Sequence, residues 1–142
     1  MSSLLKSIEL IEVPDPAAQV DFNHLFANHF GYRIIACTAT LVTDATVANR
    51  RPLFRFTWGG VTIMSTQHTA FQIASQTMYY SLAPVGFNPG LINSTIYPVL
   101  PIATDIMLEA PAHFDVTTPA LAATDQWSNI RILVERWAYR TV

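Results

Sequence analysis

The residues of this chain best suited to acid–base work or metal binding are its four histidines, His24, His29, His68 and His113. A cupin-like metal centre needs two histidines separated by one residue, plus a carboxylate and a third histidine, and no H-x-H occurs. His24 and His29 flank the turn before Gly31, far in sequence from the other two, so scattered histidines are expected rather than a metal site. Asp105 and Glu109 are the best carboxylate pair. On one strand face they would stand roughly 13 Å apart at about 3.3 Å per residue, beyond the roughly 5 to 9.5 Å span of glycosidase pairs. They read as a solvated face. The sequence contains no G-x-S-x-G, H-E-x-x-H, phosphate-binding glycine loop or C-x-x-C. Cys37, the only cysteine, shares an alternating apolar face with Ile35, Ala39 and Leu41, so it is expected to be a buried, inert thiol. The residues thus predict no catalytic, cofactor-binding or metal-ligating group, and a protein that is not an enzyme.

Tryptophans offer a different chemistry, because sugars stack on exposed indoles. Trp58 alternates with Phe54 and Phe56 and is expected in the core. Trp127 and Trp137 bracket the last apolar segment, where core burial or a subunit contact would explain them. A glycan platform is the alternative for all three.

These groups need a scaffold, and the pattern is that of strands. Nine prolines and five glycines in 142 residues leave little room for long helices. Strands are predicted at 7–13, 19–26, 32–43, 53–65 (as a hairpin), 102–109, 113–118 and 127–139. The segment 68–82 fits a strand or a helical stripe. In the hairpin, Gly59-Gly60 suits a two-residue turn whose central residues both need positive φ. That register would set Trp58 against Val61 and Phe56 against Ile63, with all four on one inner face. The expected fold is all-β, a single antiparallel β-sandwich of jelly-roll type with eight or nine strands. It would form one domain over 1–142, with a short N-terminal arm over about 1–6.

Charged residues are 13% of the chain, against roughly 25% in a typical soluble domain, while 51% are apolar. No apolar run approaches the roughly 18 to 20 residues of a membrane helix. Such a composition implies surface hidden against other subunits, hence a homo-oligomer. Seven of the eight basic residues are arginine, the cation favoured in interfaces. A net charge of −2 leaves no footprint for nucleic acid. The start, Met-Ser-Ser-Leu-Leu-Lys, lacks the pattern of a secretion signal, so synthesis in a cytoplasm is expected. Leu4 and Leu5 on the arm would be covered by a neighbouring subunit or shell.

The run T-D-A-T-V-A-N-R-R from Thr43 to Arg51 is a polar corner between two apolar alternating segments. Asp44 can accept hydrogen bonds from the backbone N–H groups that follow it, and Asn49 tolerates left-handed backbone. Arg50 and Arg51 then emerge together, so at least one is expected outward or across an interface, reaching a partner's carboxylate.

This corner, Tyr32-Arg33 opening a long strand, the aromatic-rich strand after the corner, Leu100-Pro101, and D-Q-W…L-V-E-R-W from Asp125 to Trp137 together resemble small virion structural proteins of tailed bacteriophages. The resemblance implies a β-sandwich on a capsid or tail, without catalytic residues. Its expected role is capsid decoration or cement, with itself and the major capsid protein as partners. A trimer is expected by analogy with decoration proteins at threefold sites. The alternative is a tail or head-fibre component, either an adaptor or a host-glycan-binding module. Interface candidates are Leu4, Leu5, Arg50, Arg51, Trp127 and Trp137.

Overall fold

The computed structural model describes residues 6–92 and 97–138. The fold is all-β, with two mostly antiparallel sheets packed face to face. Its ten strands are β1 (Lys6–Val13), β2 (Asn23–Leu25), β3 (Phe30–Val42), β4 (Leu53–Trp58), β5 (Val61–Gln67), β6 (Thr77–Ala83), β7 (Val99–Pro101), β8 (Ile106–Glu109), β9 (Ala112–Thr117) and β10 (Gln126–Ala138). One sheet runs β1-β10-β3-β6-β7, with β8 also paired to β3, and the other runs β2-β9-β4-β5. The long β3 accommodates two neighbours on one side because it pairs with β8 over Gly31–Ile34 and with β6 over Cys37–Val42.

The core lies between the sheets. Phe54, Phe56, Phe114 and Phe22 from the smaller sheet and its approach meet Tyr80, Trp127, Leu41 and Ile132 from the larger. Trp127 stands edge-on to Phe22 at 5.3 Å and to Phe54 at 5.8 Å, and its indole N–H donates to Asp21 at 3.1 Å. Aromatic pairs in such tilted or edge-to-face geometry contribute beyond the area they bury.

Three bulges decide which side chains reach this core. Asn129 and Ile130 together oppose one β3 residue, with Asn129 at a φ of 49°. Asparagine accepts that left-handed conformation more readily than most residues. The extra residue lets Trp127 and Ile130 both point inward although strict alternation would oppose them. On β3 the extra residue is Ile35, which is half-buried. It is therefore not on the core face predicted from alternation, and Tyr32 and Ile34 lie inward before the bulge, with Cys37, Ala39 and Leu41 inward after it. On β5 the extra residue is Ile63, so Phe56 faces Met64 rather than the predicted Ile63.

The hairpin turn itself is as the glycines require, with φ of 58° at Gly59 and 80° at Gly60, and Trp58 pairs with Val61. Its tip is nevertheless exposed. Trp58 is 42% exposed and Val61 64%, so neither is the core residue that alternation predicts. Two further expectations change. The strand after Gln19 is only Asn23–Leu25, because Gln19 itself has a φ of 63°. The strand expected from Ile102 begins at Ile106, after a turn in which Asp105 has a φ of 60°.

Trp137 is buried on the outward face of the larger sheet, directly opposite Gly31 in the β10–β3 ladder. A Cβ at Gly31 would overlap the indole ring. Gly31→Ala should therefore lower stability by about 1–3 kcal/mol through overpacking. Urea unfolding checks this. In Trp137→Ala, where the ring is gone, the same glycine substitution should cost much less.

Candidate functional site

The corner at 43–51 does not open onto solvent. Arg50 is fully buried, and all five of its guanidinium N–H donors are used within the chain. Nε donates to Asp125 Oδ2 at 2.9 Å and Nη2 to Asp125 Oδ1 at 3.1 Å, a two-pronged pair. Nη2 also donates to Asp44 Oδ1 at 3.2 Å, and Nη1 donates to the carbonyls of Thr46 and Ala48 at 3.0 and 2.9 Å. The carboxylates are equally occupied. Asp125 accepts the backbone N–H groups of Asp44 and Ala122, and Asp44 accepts those of Thr46 and Thr124 together with the Thr124 hydroxyl.

The next layer closes the corner. The Arg50 and Gln72 backbones exchange hydrogen bonds at 2.9 and 2.7 Å, and the Gln72 side chain donates to the Leu41 and Gln76 carbonyls while accepting from Tyr80. Asp44 accepts from Thr46 as predicted. Asn49 is not among the residues with positive φ, so its tolerance of left-handed backbone is unused. Arg50 as an outward contact to a partner's carboxylate is corrected. Its carboxylate is Asp125, supplied by the turn before β10. That turn lies in the D-Q-W run, one of the sequence's most distinctive pieces.

Arg51 lies nearer the surface. Its Nε donates to the His68 carbonyl at 2.9 Å, and its guanidinium sits 5.7 Å over the Phe71 ring. Trp127 and Trp137 are both buried within the chain, one in the core and one over Gly31. Neither presents the free indole that a subunit contact or glycan platform would need. Leu4 and Leu5 fall outside the described residues. The arginine bias also has an internal explanation. Arg33, Arg50, Arg55, Arg131 and Arg136 all pair with carboxylates of their own chain.

Histidines and carboxylates do not converge. His24 and His113 sit on neighbouring strands but on opposite sheet faces, His24 in register with Phe114 and His113 with Leu25. Burial, and secondarily His113, lowers the His24 pKa. His113 Nδ1 lies 2.7 Å from Asn23 Oδ1, and the His68 ring lies 6.2 Å from that of Tyr97. No group of three or more possible metal ligands occurs among the described residues. Asp105 sits in a turn and Glu109 on β8, so they share no strand face. Cys37 is fully buried, which raises its thiol pKa well above the usual range.

Exposed apolar side chains such as Ile8, Leu25, Val47 and Val85 are scattered over the surface, and several others gather along one flank. There β5, the edge of the smaller sheet, runs beside β7, the edge of the larger. The Ala103 N–H joins them by donating to Met64 Sδ at 3.5 Å. Trp58, Val61 and Ile63 are exposed toward one end, and Val99, Tyr97 and Phe71 toward the other. Sequence reasoning missed this flank because period two assigns Trp58, Val61 and Ile63 to the core. The absence of charge from 56–67 was the available signal.

The Arg50 knot yields two expectations. Asp125→Ala should destabilise the protein by about 3–5 kcal/mol, because it leaves a buried guanidinium without its main counter-ion; urea unfolding measures this. Asp44 is held well below the usual carboxylate range, first by the backbone N–H groups of Thr46 and Thr124. The unfolded chain therefore takes up this proton more readily than the folded one. The stability from Asp44 is fully present above the ordinary carboxylate value of about 3.9 and is lost as pH falls below it toward the folded value. The urea midpoint should fall less between neutral and strongly acid pH in Asp44→Asn than in the wild type.

No protein-family model, no curated protein and no solved structure matches this chain.

Proposed function

We propose that this protein is a structural component of a tailed-bacteriophage particle, of the capsid decoration or cement type. In this reading it is not an enzyme; it associates with itself and with the major capsid protein on the outside of the shell. One observation carries the reading. The Arg50–Asp125 pair and the Cys37 thiol are enclosed by the fold, whereas the exposed flank of β5 and β7 presents apolar and uncharged side chains. A surface of that kind suits lasting contact between folded proteins better than turnover of a small molecule. The resemblance of the corner and the D-Q-W run to phage virion proteins supplies the kind of particle.

A second reading, a tail or head-fibre module that binds host glycan, draws on the exposure of Trp58 and Tyr97, since exposed aromatic rings are what a sugar would stack on. Quantitative mass spectrometry of purified particles of the virus that encodes the chain separates the two. The cement role predicts a copy number comparable to that of the major capsid protein. A few copies per particle, with cell binding lost in Trp58→Ala, would instead support the glycan module. Absence of the protein from particles would overturn both.

A further inference from the structure

Sheet edges present unpaired backbone N–H and C=O groups, and proteins that stay monomeric blunt them with charge, proline or shortness. Four of the five edges among the described residues are blunted, β8 by its four-residue length and Glu109. β1 carries Lys6, Glu9 and Glu12, β2 has three residues, and β7 has three and ends in Pro101. β5 is different. It has seven residues, V-T-I-M-S-T-Q, with no charge and no proline. Its backbone pairs with β4 on one side, and no backbone partner occupies the other side among the described residues. The Ile63 bulge disturbs only its first part, and Met64–Gln67 keeps regular register against Phe56–Leu53.

We propose that β5 is a self-association edge, and that two copies of this chain pair antiparallel through it about a twofold axis, joining two four-stranded sheets into one of eight. The occupant is a second copy for three reasons. An uncharged strand can face itself in any register without opposing like charges. Antiparallel self-pairing of Met64–Gln67 sets Ser65 across from Thr66 and Met64 across from Gln67, and Thr–Ser pairs are favourable across strands. Finally, Val61 and Ile63 at one end and Val99 and Tyr97 at the other stand exposed beside the new ladder, which gives it apolar flanks to bury. An isologous pair of this kind closes on itself, so it makes a dimer and not a filament. It replaces the threefold number expected by analogy. It rests on the edge alone and does not depend on the particle the protein belongs to.

The test uses the full-length purified protein. Sedimentation equilibrium at micromolar concentration should give twice the 15.8 kDa chain mass. The double substitution Ile63→Lys with Ser65→Lys, which adds the charge that other edges carry, should give the single-chain mass with an unchanged far-UV circular dichroism spectrum. Ile8→Lys on the β1 edge should leave the dimer intact. Because Cys37 is buried, Ser65→Cys introduces a selectively reactive thiol, and a short bis-maleimide should join two chains through it. This readout does not require the lysine variant to fold. A wild-type monomer, a trimer, a dimer that survives both lysines, or failure of the Ser65→Cys protein to cross-link would each overturn the proposal. Copy number on particles can come out either way without touching it.

Discussion

The guanidinium of Arg50 is the point on which the rest of this sandwich depends. It is fully buried and it is a fixed charge, so every donor must find an acceptor within the chain. Meeting that demand draws together segments far apart in sequence. These are the 43–50 corner, the Gln72 loop that exchanges backbone hydrogen bonds with Arg50, and the turn from Ala122 to Asp125 that launches β10. The carboxylate of Asp125 answers the charge with both oxygens and also accepts two backbone N–H groups. Removing two ions from water is costly, and a buried pair is not by itself evidence of great stability. Its effect is on specificity. With the corner pinned to the start of β10, Trp127 enters the core at one register.

The bulges extend that control along the long strands. β3 and β10 pair over most of their thirteen residues, long enough for sheet twist to carry strict alternation out of phase with a compact core. One extra residue on β10 and another on β3 reset the phase. Trp127, Ile130, Ile132 and Val134 then all reach the same interior, and Trp137 is left to cover Gly31 on the far face. The same device on β5 puts Met64 opposite Phe56 and leaves Ile63 in solvent.

Charge and apolar surface are distributed in a way that bears on function. Carboxylates and arginines pair with each other across β1, β10, β3 and the corner, so little of the small complement of charge is left over on those faces. On the β5–β7 flank the described strand residues carry no charge, and Arg51 lies over Phe71 beside them. A low fraction of charged residues, read from composition alone, does not locate any apolar surface. The fold says which surface is available, and it is an edge with unpaired backbone as well as exposed apolar side chains.

Much of this architecture was legible in the residues. Alternation identified the all-β class and most strands, and the two glycines fixed the hairpin turn. Asp44 could be assigned to the Thr46 N–H because that donor lies 2 residues away, whereas its other backbone donor, Thr124, lies 80 residues away. Tertiary structure decided the remainder, for two physical reasons. The partner of Arg50 is 75 residues distant, and a single sequence does not reveal which carboxylate a buried charge will meet, so the arginine read as an outward contact. A bulge costs one residue and no change of composition, yet it reverses which face every later side chain takes. Ile35 was thus misassigned. Trp58 was misjudged for a different reason: period two gives the face a side chain takes but not how much of that face is covered at the tip of a hairpin.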